Sequence, residues 1–327
     1  MSPRRETNNV TVSIPWEISS RGNASYNRQT VIQSLILSGA RIIEEKCPVF
    51  VGCEDKLAWR FQPDFSTLLE LFRFPRRLVV VVHRSPTSFR GKRDRLLLPI
   101  LTCALRRAAQ LVVLDSDTLF SLYEMGFTPD QVTFLPYPVD HEFFKPSALL
   151  LGDTIFCPGD HLRDERIVSA IQDAGLAQVI RSSRNKSVAE YHGRLGNGVL
   201  VVQCQKMSEI LDLYHRSRVV VLPVVPDVIP AGITAMLEAM SCQRVVVVPN
   251  GKAAAGNLEH GETGIVLGDR SPAAWVRCIH ELWHSDSALE RIGNAARKAI
   301  IARHSLTACG KSWSEVWRKA SARMTQQ

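Results

Sequence analysis

Residues 226–264 read PDVIPAGITAMLEAMSCQRVVVVPNGKAAAGNLEHGETG, and this stretch decides the fold. Pro230, Ala231 and Gly232 form a breaker cluster, after which Ile233, Met236, Leu237 and Met240 recur at helical spacing. Arg244 to Pro249, RVVVVP, is a short β-branched run suited to a parallel strand buried on both faces. Gly251, Gly256, Gly261 and Gly264 then punctuate a loop where backbone must turn sharply or approach a ligand. The chemistry follows from this loop–helix–strand order. A helix start exposes backbone N–H groups at the positive end of its dipole and favours an anion. Glu238 stands two turns inside that helix, where a carboxylate can accept the two hydroxyl hydrogen bonds of a ribose diol. One element could hold both parts of a nucleotide; equally, the pattern fits a plain αβ unit with Glu238 on a solvated face.

Outward from this stretch the chain alternates. Thr154–Cys157, VIRSS at 179–183, VLVVQ at 199–203 and RVVVLPVV at 218–225 are expected strands. Helical spacing runs through Leu162–Ala174, closed by Gly175, and through 207–217 and much of 272–304. Ser312 to Met324 is a last amphipathic helix with Trp313, Val316 and Trp317 on one face. The first half repeats the scheme with strands at Val10–Ile14, Leu78–Val82, Leu111–Leu114 and Gln131–Leu135, and helices at Asp94–Ala109 and Thr118–Met125. ARIIEE at 40–45 is a further strand candidate, and KLAWRFQPDFSTLLELFRF at 56–74 reads as helical around its proline. Two α/β domains of doubly wound type follow, at 1–150 and 151–327.

GITAMLEAMSCQRVVVVPN, followed by GNLEHGETGIVL, resembles the donor-binding segment of the retaining glycosyltransferases of family 4, which have the GT-B fold of two Rossmann-like domains. In that family a Glu-Ala-Met-Ala-x-Gly-x-Pro-Val-Val run supplies the ribose-binding glutamate, and a Glu-x-x-x-Gly-x-x-Gly run follows the next strand. Glu238-Ala239-Met240 matches the first, and Glu259 to Gly264 matches the second loosely. The family's other glutamate, eight residues earlier, is replaced here by Pro230, with Asp227 the nearest carboxylate. The first domain of the family ends in Gly-Val-Asp…Phe-x-Pro; Val139, Asp140, Phe144 and Pro146 match, with Pro138 at the glycine position.

The resemblance implies a glycosyltransferase that takes a sugar from a nucleotide-diphosphate sugar to a saccharide, lipid or other small acceptor, retaining configuration without a metal or other cofactor. It implies the diphosphate on the Gly232 and Ile233 amides and on Arg163, with Arg166 for the family's absent lysine, and ribose on Glu238. It places His83, at the end of the LVVVV strand, against the transferring sugar, although a lone histidine there also suits a structural role. It also sends the final helix back to the first domain. The Pro230 departure supports a second reading: a nucleotide-sugar-binding or scaffold protein that keeps the fold without the activity.

The rest of the composition sets bounds. With 45% hydrophobic and 22% charged residues over 327 positions, the chain has material for two ordinary cores. Its net charge of +8 points to an anionic partner. Nucleic acid is set aside, because aromatics are 7% and no recognition module is present. Between 71 and 95 the residues Arg73, Arg76, Arg77, Arg84, Arg90, Lys92, Arg93 and Arg95 face only Asp94, which makes either a solvated basic face or a contact for an anionic membrane or acidic acceptor. Eight scattered cysteines, none in a Cys-x-x-Cys pair, fit free thiols in a reducing compartment. Without an apolar leader or a bilayer-length run, the expected location is the cytoplasm, peripheral on the inner membrane face through 73–95.

Overall fold

The computed structural model describes residues 11–15, 30, 33–45, 56–60, 65–82, 92–147, 152–159, 162–183, 198–225, 231–251 and 254–325. The chain divides into two compact units, Met1–Pro138 with Leu306–Gln327, and Val139–Ser305.

The first unit holds strands β1 (Thr11–Pro15), β2 (Arg41–Glu45), β3 (Lys56–Arg60), β4 (Leu78–Val82), β5 (Gln110–Val113) and β6 (Val132–Phe134). They form one parallel sheet in the order β2-β1-β3-β4-β5-β6. Helices α1 (Phe65–Arg73), α2 (Lys92–Leu105) and α3 (Ser116–Glu124) connect β3 to β6. The sheet is buried where its strands are β-branched: Leu78 to Val82 are wholly inaccessible. Asp115 caps α3, its carboxylate accepting from the Thr118 amide at 2.8 Å and the Thr118 hydroxyl at 2.8 Å.

One expectation fails here. KLAWR, expected in a helix around Pro63, is strand β3, paired on both sides between β1 and β4. Only FSTLLELFR of that stretch is helical. The stretch is two elements, a short strand and a helix, and Pro63 lies between them in the sequence.

The second unit contains β7 (Thr154–Cys157), α4 (Glu165–Asp173), β8 (Val179–Ser183), β9 (Leu200–Gln203), α5 (Met207–Arg216), β10 (Ser217–Val221), α6 (Ile233–Ser241), β11 (Val245–Pro249), β12 (Ile265–Leu267), α7 (Pro272–Trp283) and α8 (Asp286–Ala299). Its sheet is parallel throughout, in the order β9-β8-β7-β10-β11-β12. Counting strands within the unit, this is the doubly wound order 3-2-1-4-5-6, and the order reverses between β7 and β10. On one face Ile155, Val219, Val221, Val245 and Val247 pack with Trp275, Ile279, Leu289 and Ile292 of the covering helices. Full burial of such a valine or isoleucine stabilises by about 1.5–3 kcal/mol, so the valine runs fix the sheet centre.

The division between the two units falls between Pro138 and Val139. The segment after it is tied into the second unit. The Val139 amide donates to His304 O at 2.8 Å. Phe144 is wholly buried, and its carbonyl accepts from Ser241 Oγ at 2.7 Å and Arg297 Nη1 at 2.9 Å. Conversely the last helix, α9 (Leu306–Met324), starts earlier than expected and belongs to the first unit. There Trp317 is fully buried and its Nε1 donates to Ser38 Oγ at 2.8 Å.

Candidate active site

Ligands of open α/β sheets collect outside the carboxyl ends of the strands where the order reverses. In the second unit that place lies beyond β7 and β10, and the loops leaving these strands are fastened together. The Asp164 amide donates to Pro223 O at 2.7 Å, and the Val225 amide donates to Leu162 O at 2.7 Å. Between them Arg163 and Val224 form an antiparallel bridge. Leu162 adopts φ 55°, an uncommon conformation for a leucine that this double fastening imposes.

Arg163 folds back over the end of β7. Its Nε and Nη2 donate to Pro158 O at 3.0 and 2.7 Å. The guanidinium lies against two glycine backbones. A Cβ on Gly159 would stand 3.1 Å from Nη2, and one on Gly232 would stand 3.8 Å from Nη1 and Nη2. Gly232 is the N-cap of α6, with φ 89°, and no side chain caps the helix. The first intrahelical bond runs from the Met236 amide to Gly232 O at 2.9 Å, so the amides of Ile233, Thr234 and Ala235 have no partner within the helix. A guanidinium and a positive helix end of like sign are thus brought together, an arrangement that a bound anion stabilises.

Glu238 stands one turn further along α6 and is 7% exposed, which removes the solvated-face alternative. Its Oε2 accepts from the Tyr214 hydroxyl at 2.9 Å, and the same hydroxyl reaches Ala235 O at 3.1 Å. Tyr214 is itself wholly buried, its ring edge-on to Phe144 and Phe156 at 5.9 and 5.1 Å. Burial, followed by the Glu238 charge, pushes the phenol well above its ordinary pKa, so Tyr214 stays a neutral donor. The carboxylate is therefore anchored from α5 while it sits on α6.

Two further residues shape the site without having been picked out in the sequence. Arg181, at the centre of β8 and 1% exposed, donates through Nη1 to Gly159 O at 2.7 Å and pairs through Nη2 with Glu165 at 2.7 Å. It pins the loop that carries Arg163. The available signal was a charge inside the strand VIRSS, since a buried charge needs partners. Tyr214 gave no such signal, because its place in MSEILDLYHRS is that of any core aromatic.

The remaining expected residues fall as follows. Arg166 is in the first turn of α4 with its side chain 86% exposed, forked onto Asp164 through Nε at 3.0 Å and Nη2 at 2.7 Å. Asp164 is the N-cap of that helix, and the Arg166 hydrogen bond holds its carboxyl below the usual range. The structure thus brings Arg163, Gly232 and Ile233 together, with Glu238 behind them, and gives Arg166 a surface partner. His83, Asp227 and Pro230 lie outside the described residues. Just before β12 the Glu259–Gly264 turn closes on itself: the Glu259 amide donates to Thr263 Oγ1 and the Gly261 amide to Gly264 O, both at 2.8 Å. Among the described residues no group of three or more His, Cys, Asp and Glu side chains could hold a metal ion.

Comparison with known proteins agrees with this architecture. Residues 183–299 match the family described as Glycosyl transferases group 1, a span inside the second unit that includes Tyr214, Gly232 and Glu238. Curated proteins give no match. Among solved structures, HepE of Anabaena, in complex with UDP and glucose, is 14% identical and superposes with a TM-score of 0.70, covering 94% of this chain and 99% of that one. Sucrose-phosphate synthase of Thermosynechococcus elongatus is 13% identical with a TM-score of 0.74, covering 96% of this chain and 100% of that one. A glycosyltransferase of Rickettsia africae, 13% identical, gives 0.71 with 98% and 100% covered. The fold is that of the GT-B glycosyltransferases.

Proposed function

We propose that the protein is a retaining, metal-independent glycosyltransferase of family 4, taking a sugar from a uridine diphosphate sugar. The observation that carries this reading is the cluster at the β7/β10 switch point. There Arg163 lies against the uncapped start of α6, with the carboxylate of Glu238 fixed behind by Tyr214. The group 1 match and the UDP complex of HepE supply the ligand class.

In this reading the α6 amides at Ile233 and Thr234 and the Arg163 fork bind the diphosphate, and Glu238 accepts the ribose hydroxyls. Arg166 and Asp227 border the donor, and His83 contacts the transferring sugar. Charge develops on the diphosphate as the glycosidic bond breaks. Arg163 and the helix end stand where that charge appears, so positioning and electrostatic stabilisation carry the rate. The acceptor is a saccharide, a lipid or another small hydroxyl compound.

The test is transfer from a panel of nucleotide sugars, by the wild type and by Arg163→Gln. Loss of one such charge-stabilising donor lowers kcat by about 100- to 1,000-fold. Donor binding without transfer or hydrolysis for any pairing would refute the enzymatic reading and favour a nucleotide-sugar-binding protein, the reading that Pro230 suggests.

A further inference from the structure

The first unit carries a second feature that the donor site does not use. Strands β3, β4, β5 and β6 lie side by side in chain order, so their right-handed crossovers place α1, α2 and α3 on one face of the sheet. Leu71, Ala104, Leu105 and Leu122 from these three helices share one core with Leu78, Val80, Leu111 and Val113. The outer side of the same layer is unusually apolar. Leu69 and Phe72 on α1, Ile100 on α2 and Phe120 on α3 are 56%, 44%, 51% and 62% exposed.

Arginines fringe this layer. Arg73 lies over the Phe74 ring at 5.1 Å, and Arg107 lies over the exposed Phe72 at 5.4 Å. Arg107 caps the end of α1 by donating to Leu71 O and Phe72 O, and Arg106 donates to Met125 O. These acceptors are neutral carbonyls, so the guanidinium charge persists. Residues 65–107 hold ten arginines and lysines against Glu70 and Asp94 alone, an excess of eight. That equals the net +8 of the whole chain, so all other segments together are neutral.

We infer that the outer face of α1 and α2 docks on an anionic lipid bilayer. The apolar side chains enter the interface, and the arginines engage the headgroup phosphates. Charge complementarity selects this occupant over a neutral surface, and exposed apolar side chains with arginines at the helix ends suit a surface that is both anionic and oily. Among the described residues no helix is long and apolar enough to cross a membrane, so the contact is peripheral in kind for this layer. The residues involved lie in the first unit, and the experiment needs no nucleotide, so it stands apart from the glycosyl-transfer reading.

The experiment is co-flotation of the full chain with vesicles of phosphatidylcholine plus phosphatidylglycerol, and of phosphatidylcholine alone, across a salt series. Binding is expected only to the anionic vesicles, weakening as salt rises. Arg73→Gln with Arg77→Gln should lower the affinity about fivefold per charge, the equivalent of ~1 kcal/mol each. Leu69→Ser with Phe72→Ser should weaken it by about tenfold or more. Melting curves of both double variants, unchanged from the wild type, confirm that the substitutions leave the fold intact. Equal binding to both vesicle types, or to neither, would overturn the inference. So would binding to soluble heparin as tight as to vesicles and indifferent to Leu69→Ser with Phe72→Ser, which would mark a polyanion site.

Discussion

Gly232 is where backbone geometry and the proposed anion site coincide, and Gly232→Ala separates the two. The residue has φ 89°, in the left-handed region that costs an L side chain about 1–2 kcal/mol. Space adds nothing to that cost: the nearest atoms to an added Cβ are Arg163 Nη1, Arg163 Nη2 and Val224 Cγ1, all at 3.8 Å, an ordinary contact. The expected loss is therefore ~1–2 kcal/mol of stability, a lowering of the melting temperature by about 2–8 °C for a unit of this size. Gly159→Ala is the companion. Its φ of 79° carries the same backbone cost, and its Cβ would stand 3.1 Å from Arg163 Nη2, so the guanidinium must also give way. Thermal unfolding of both variants measures the costs. Titration with UDP then reports whether moving the α6 start or the Arg163 fork weakens the anion site. An alanine at 232 that melts with the wild type would refute the left-handed cap, and with it the presentation of the α6 amides.

Other expectations follow from single contacts. Tyr214→Phe removes the buried donor to Glu238 Oε2, which should cost ~1–3 kcal/mol in chemical denaturation and raise KM for the donor more than it lowers kcat. Asp164→Ala removes the α4 cap, for a loss of about 1 kcal/mol at neutral pH. Because the folded Asp164 carboxyl is held below its ordinary value of 3.8, its contribution is present above that pH and disappears as pH falls through the folded value. The wild type and the variant should therefore converge in stability in strong acid. Trp317→Ala opens the core of the first unit and removes the indole donor to the Ser38 hydroxyl, and should destabilise by about 3–5 kcal/mol in urea titration.

The legible parts of this chain are those where burial leaves one reading. LVVVV at 78–82 and VVVVP at 245–249 are strands because a β-branched run with no polar face suits the centre of a parallel sheet. Gly232 was legible because the breaker preceded a helical period, and Glu238 because it lay within that period. KLAWR was not, since a half-polar strand carries little periodic signal beside aromatic neighbours. The place of Phe144 in the second unit was not legible, because its carbonyl is bound by Ser241 and Arg297 from far along the chain. Tyr214 was hidden for the same reason, and the charge of Arg181 inside VIRSS signalled a need for partners without naming them. Their roles rest on partners such as Gly159 and Glu238, contacts that only tertiary packing creates.

The central claim is that a nucleoside diphosphate binds at the reversal between β7 and β10, with its ribose on Glu238. The most direct measurement is the ligand-induced melting shift with UDP, other nucleoside diphosphates and their sugars, on the wild type and Glu238→Ala. A ligand at 100 times its dissociation constant stabilises by about 2.7 kcal/mol. The account predicts a shift with the uridine ligands that is lost in Glu238→Ala. No shift with any nucleotide, or one that survives the substitution undiminished, would contradict it.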